Sequence, residues 1–220
     1  MVKTQDLFDL DHTLAREYLL QFEYPWQALK GIHDFIVELS KTLPEEYQEK
    51  EPGVFVHQSA TIYPNAYLGA PCIIGPNSEV RPGAFIRGNA LVGEHCVVGN
   101  STELKNVILF DHVQVPHYNY VGDSILGYYS HMGAGSITSN VKSDKTLVVI
   151  KDPKTKEEIP TNLKKVGAML GDHVEVGCNS VLNPGTIIGK GTSIYPLSCV
   201  RHVIEAGMIY KEAKHIEKRQ

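Results

Sequence analysis

The side chains with the widest chemical reach in this sequence are ten histidines and four cysteines. Cys72, Cys96, Cys178 and Cys199 contain no Cys-x-x-Cys pair. All four fall within a repetitive region, where a small buried hydrophobe is the better reading of a cysteine. Histidine differs, because an unperturbed pKa of about 6.5 leaves much of it neutral and basic at pH 7. His117 opens the run HYNYVGD, which places an imidazole, phenols and a carboxylate close together, and His112 stands five residues upstream of it. Lysines concentrate in 141–165, VKSDKTLVVIKDPKTKEEIPTNLKK. That stretch reads either as a solvated charged loop or as a binding loop.

These residues are carried by a repeat. Apolar side chains recur every six residues at Val56, Ile62, Leu68, Ile74, Val80, Ile86, Val92 and Val98, and again at Leu170, Val176, Leu182, Ile188, Ile194 and Val200. The steps read ATIYPN, AYLGAP, CIIGPN, SEVRPG, AFIRGN, ALVGEH and CVVGNS. Neither a 3.6-residue period nor long strict alternation fits them. A coil of three short faces, closed after about 18 residues, does fit. Inward aliphatics stack from coil to coil, and Gly, Asn and Pro take the corners. One coil cannot bury its own apolar face, so the repeat folds only as an array. After Val98 the spacing slips, resuming at Leu109, Val115 and Val121, then running one residue short to Leu126 and on to Met132 and Thr138. Residues 141–165 interrupt it, and it has resumed by Leu170. Insertions in repeat proteins often map to the binding face.

The spacing predicts three regions. Residues 1–52 form a helical N-terminal cap, with Leu14, Tyr18 and Leu19 on one helical face, Leu10 anchoring its entry, and a second helix from Trp26 to about Ser40. EEYQEKEPG reads as a charged connector. The cap would protect the unpaired edge of the first coil, or present Trp26 to a partner. Residues 53–204 form the β-helix with the inserted 141–165 loop, and 205–220 a short C-terminal helix or tail.

At 220 residues and a net charge of -4, the composition is that of a soluble protein with one main domain. The mild acidity argues against nucleic acid as the partner. No apolar run approaches the roughly 20 residues of a membrane span, and the opening MVKTQDLFDLDHT is too acidic for a signal peptide. A cytoplasmic, reducing location is expected.

RPGAFIRGNALVGEHCVVGNST, HYNYVGDSILGYYSHMGAGSITSN and GCNSVLNPGTIIGKGTSIYPLS resemble the left-handed β-helix acyltransferases. More closely they resemble the C-terminal acetyltransferase domain of the bifunctional enzyme that makes UDP-N-acetylglucosamine, and its stand-alone nucleotidyltransferase-like relatives. The resemblance covers about 60 to 205. It implies an all-β fold, a single-stranded left-handed parallel β-helix, assembled as a homotrimer with sites between subunits. It further implies an acyl-CoA-dependent transferase that uses acetyl-CoA or another acyl-CoA as co-substrate, on a sugar phosphate or nucleotide sugar. Uridylyltransfer is not expected, because the first 50 residues hold no Gly-x-Gly loop followed by lysine.

The resemblance assigns His117 as general base and Tyr120 as its partner in the His-x-x-Tyr-x-Gly-Asp block. It makes Arg81 a grip on phosphate or uridine groups, and Asn140 the asparagine after the Gly-Ala-Gly-x-Ile-Thr run. His131 and Lys145 join them as substrate contacts, at positions where the sequence departs from the family pattern or its alignment is interrupted. The family's phosphate lysine falls on Gly99, and the tyrosine after the asparagine falls on Val141. Both departures argue against glucosamine 1-phosphate in its usual pose. Two other classes suit the same residues. One is a non-catalytic sugar-nucleotide-binding or scaffold protein. The other is a metal-dependent enzyme resembling the trimeric β-helix carbonic anhydrases, for which His112 and His117 have the right spacing but position 76 is proline. No resident metal is expected.

Overall fold

The computed structural model describes residues 2–152 and 155–211. From Val54 to Tyr210 the chain winds as a parallel β-solenoid with three faces. Face 1 stacks Val54–His57, Cys72–Ile74, Ala90–Val92, the second halves of Glu103–Leu109 and Tyr120–Leu126, Ala168–Leu170, Thr186–Ile188 and Val203–Ile204. Face 2 runs from Thr61–Ile62 to Ile209–Tyr210, and face 3 from Tyr67–Leu68 to Cys199–Val200. The spaced aliphatics point inward as the repeat predicts. Val56, Ile74, Val92, Leu109, Leu126, Leu170 and Ile188 pair in register up face 1.

The slip predicted after Val98 lies elsewhere. Leu104, six residues on, is fully buried and pairs with Ile86 and Val121, so the count holds there. The missing residue falls between Leu104 and Leu109, and a second falls at the same corner one coil later, between Val121 and Leu126. Shortening makes the strand continuous through the corner, so Glu103–Leu109 and Tyr120–Leu126 each belong to faces 3 and 1.

On face 1 the strands Cys72–Ile74, Ala90–Val92, Ala168–Leu170 and Thr186–Ile188 are buried at all three positions. Their outward residues are therefore covered as well, as a strand buried on both sides requires. Ile73, Leu91, Ile108, Ile125, Met169 and Ile187 form this outer stripe. Each such burial contributes about 1.5–3 kcal/mol.

The N-terminal segment lies on this face instead of capping the first coil. It contains α1 (Thr4–Leu7), α2 (Arg16–Leu19) and α3 (Ile32–Ser40), with 3-10 turns at Leu10–His12 and Pro25–Gly31. The Pro25–Gly31 turn and α3 reach the strands of four successive coils, from Cys72–Ile74 to Tyr120–Leu126. Phe8 packs on Phe110 and His12 stacks on Tyr128, with ring centroids 5.0 and 3.6 Å apart. An apolar stripe running along the solenoid axis offers more area than the end of one coil, and the helices follow the area. Leu14, placed on the helical face by its spacing, lies outside α2 and is exposed. Protection of the first coil falls to the expected connector: Tyr47–Glu51 is a strand, paired antiparallel with Val54–His57. Three of its four exposed positions, Glu49, Lys50 and Glu51, are charged, as suits an exposed edge.

The 141–165 insertion folds as a hairpin, Val149–Lys151 against Glu158–Pro160, with Val148 and Ile150 buried beside Gly185. It leaves and re-enters at the corner between faces 3 and 1, where Val141 bridges Lys165 and Val166 N donates to Asn140 O. At the C-terminus, Ile209–Tyr210 adds a last strand to face 2. The helix expected over 205–220 falls largely on residues outside the described range.

Candidate functional site

The two shortened corners and the insertion meet around one buried carboxylate. Asn106 and Asp123 occupy the corner of successive coils, with φ of 56° and 49°. Both residue types tolerate this left-handed conformation. Asp123 is 4% exposed. Its Oδ1 accepts from Asn106 Nδ2 at 2.9 Å, its Oδ2 accepts from Asn140 Nδ2 at 2.6 Å, and Lys105 Nζ stands 3.4 Å away. A buried carboxylate needs such partners, since an unpaired buried charge is costly.

Asn140 also donates to the Tyr120 phenol oxygen at 3.2 Å. The Tyr120 ring lies over Gly122, where an added Cβ would fall 2.5 Å from the hydroxyl. Burial first, then the charges of Asp123 and Glu103, push the Tyr120 phenol above its usual 10. On the rim, Arg87 pairs with Glu103 at 2.9 Å.

The predicted residues divide into groups. Tyr120 and Asn140 come together around Asp123. His117 ends the strand Gln114–His117 on face 2, with its backbone paired to Asn100. Its imidazole is exposed and, among the described residues, makes no hydrogen bond or ion pair. Arg81, two coils earlier on the same face, is held by Glu79 at 2.9 Å. His131 starts a strand of face 2 and pairs with Glu175 at 2.8 Å, in a shallow depression with His112, Gln114 and Tyr129. Lys145 is exposed in the insertion.

His112 and His117 lie toward opposite edges of face 2, separated by five residues of extended chain, about 16 Å at ~3.3 Å per residue. No cluster of three or more metal-ligating side chains occurs among the described residues. Gly99 explains the missing lysine: a Cβ there would collide with the Pro116 carbonyl of the next coil. The departure from the family pattern is thus built into the coil spacing.

Sequence reasoning gave Asp123 no role beyond its place in HYNYVGD, and it passed over Lys105 and Asn106. Their signal is the pair of five-residue steps that bring Asn106 and Asp123 into one corner. It also passed over a ladder at the corner between faces 1 and 2. There His95, His112, Tyr129 and His173 take left-handed φ of 53° to 62° and stack in order, with centroids 4.9, 4.3 and 5.6 Å apart. Burial first, and then the neighbouring His95, lower the pKa of His112 below its ordinary 6.5.

A family model described as the GMPPB C-terminal domain matches residues 70–168. The chain is 32% identical over 185 residues to a bifunctional sugar-1-phosphate nucleotidylyltransferase/acetyltransferase of Sulfurisphaera tokodaii, covering 84% of this chain and 43% of that protein. Over most of its length the chain is similar to the hexapeptide-repeat, left-handed β-helix enzymes. A second relative, a bifunctional GlmU protein of Methanococcus vannielii, is 29% identical across 70% of this hexapeptide-repeat chain and 34% of its own length. The chain thus spans less than half the length of the curated relatives it matches. Among solved structures, a hexapeptide transferase family protein of Anaplasma phagocytophilum aligns over 76% of this chain and 81% of that one, with 16% identity and a TM-score of 0.39.

Proposed function

We propose that the chain transfers an acyl group from an acyl-CoA to a sugar phosphate or nucleotide sugar. His117 is the general base, and the site is completed between the subunits of a cytoplasmic homotrimer. One observation carries the reading: within HYNYVGD, the His117 imidazole is exposed and unengaged, while Tyr120 and Asp123 are locked with Asn140 into an ordered polar edge. The base is free, and the groups that orient a ligand are not. The name of the Sulfurisphaera relative, which joins a sugar-1-phosphate nucleotidylyltransferase to an acetyltransferase, supports the same class.

In the reaction, the neutral imidazole takes a proton from the sugar amine as its nitrogen attacks the thioester carbonyl. The C–N bond forms, the C–S bond breaks, and the proton leaves on the CoA thiol. Exclusion of a side chain at Gly99 supports an acceptor other than glucosamine 1-phosphate in its usual pose. A thermal-shift screen of acyl-CoAs and nucleotide sugars tests the binding half, since a ligand specific to the folded state raises the midpoint. Stabilisation by an acyl-CoA supports the reading, whereas stabilisation by nucleotide sugars alone favours a binding module.

A further inference from the structure

The corner between faces 3 and 1 carries a polar chain in which every link has a direction. It starts at the Leu29 carbonyl in the N-terminal segment. Asn106 Nδ2 donates to that carbonyl at 3.1 Å and to Asp123 Oδ1 at 2.9 Å. Asp123 Oδ2 accepts from Asn140 Nδ2 at 2.6 Å, and the same amide nitrogen donates to the Tyr120 oxygen at 3.2 Å. An ionised carboxylate only accepts. It therefore decides which end of each asparagine faces it, and both NH2 groups turn inward. The Asn140 Oδ1 is left turned away from the carboxylate and accepts from no described residue. The Tyr120 oxygen, having accepted once, keeps its own proton for another acceptor.

We propose that Asp123 is a positioning residue: through Asn106 and Asn140 it sets the Tyr120 hydroxyl as a donor and the Asn140 carbonyl as an acceptor, a pair that takes one sugar hydroxyl of the acceptor substrate. This rests on the transferase reading and names the part of the substrate that the two side chains meet. A hydroxyl both accepts and donates. A fully ionised phosphate oxygen only accepts and an ammonium only donates, so each would satisfy half of the pair and leave the other half unmatched. Lys105, at 3.4 Å, compensates the charge of Asp123. The N-terminal segment enters the site only as the fixed carbonyl at the start of the chain.

The test compares Asp123→Asn, Tyr120→Phe and the double variant in the full chain. A carboxamide at 123 donates as well as accepts, so it no longer turns both neighbouring NH2 groups inward. In acyl transfer from acetyl-CoA to a nucleotide-linked amino sugar, each single variant raises the acceptor KM about tenfold and leaves the acyl-CoA KM unchanged. The double variant goes no further than the worse single one, because the two residues act as one unit. Effects that multiply, or an acyl-CoA KM that moves equally, overturn the proposal. A merely structural role lowers kcat through lost active protein and leaves both KM values in place, which also overturns it.

Calorimetric titration with UDP-N-acetylglucosamine and with glucose 1-phosphate separates this from failure of the transferase reading. Wild-type protein that binds either probe without turnover ends that reading, while Kd values about tenfold weaker in both single variants still support the positioning role. Wild-type protein that binds neither probe overturns it.

Discussion

Asn106 donates to the Asp123 carboxylate across one coil, at the corner where both coils have lost a residue. The shortened corner and the buried charge belong together. Asp123 answers amides from the coil before it and from the turn that leads into the insertion, so its loss is felt in both directions. Asp123→Ala takes the carboxylate from Lys105 and one hydrogen bond from each of two asparagine amides, and losing hydrogen bonds to a buried charged group in this way costs about 1.5–3 kcal/mol. Urea denaturation of wild type and variant measures it, and a change under ~1 kcal/mol is incompatible with the network.

The outer stripe of face 1 is held by the N-terminal segment. Ile108 lies in it, fully buried. Ile108→Ala should cost about 2–5 kcal/mol, the range for large-to-small changes in a packed core. A truncation beginning at residue 47 should expose the stripe and drive association, read by light scattering. A truncated chain with the same oligomeric state and stability as the full chain would mean that the segment is an ornament on the solenoid.

Gly99 is required by the approach of Pro116 in the next coil. Gly99→Ala should therefore destabilise by about 1–3 kcal/mol, as overpacking does. Gly99→Lys should not recover a phosphate contact. Denaturation midpoints and phosphate-sugar titrations of the two variants check both halves.

The His112 imidazole titrates below its ordinary value, through burial and then the neighbouring His95. The unfolded chain has no such bias, so it binds more protons in the window below 6.5. Stability therefore falls as pH drops through that window and ceases to fall from this cause beneath the folded pKa. His112→Asn keeps a residue type that accepts the left-handed corner, where φ is 62°. The variant should flatten the acid side of the stability profile below pH 6.5, as removal of one linked proton requires. An unchanged slope would assign the decline to other groups.

Much of this architecture can be read in the sequence because each inward aliphatic repeats the same physical requirement. Val56, Ile74 and Val92 announce a stack simply by their spacing. The outer stripe was equally visible, since CII, ALV, AML and TII place a second buried residue beside each inward one. A six-residue period marks only one residue in six, which leaves that second residue outside the pattern. The slip was misplaced because Leu104 sits in TELKNV, where the flanking polar residues hide an inward position. Tyr120 and Asn140 were found through a shared motif, and their meeting at Asp123 is a long-range fact. The side chain of Asn140 reaches it across 17 residues of chain, and that of Asn106 across another 17. Apart from the two five-residue steps, local pattern carries no trace of such contacts. The ladder of His95, His112, Tyr129 and His173 is a long-range fact of the same kind: His112 and Tyr129 are neighbours only after a coil has closed.

The central claim is acyl transfer with His117 as base. The most direct measurement is release of free CoA thiol by the purified chain from acetyl-CoA, across a panel of nucleotide-linked amino sugars and amino-sugar phosphates. It is run for wild type and for His117→Ala at matched folded concentration. Loss of a general base predicts turnover with at least one acceptor that falls about 10²–10⁴-fold in the variant. Equal rates in the two proteins, or no thiol release above the uncatalysed background with any acceptor, would contradict it.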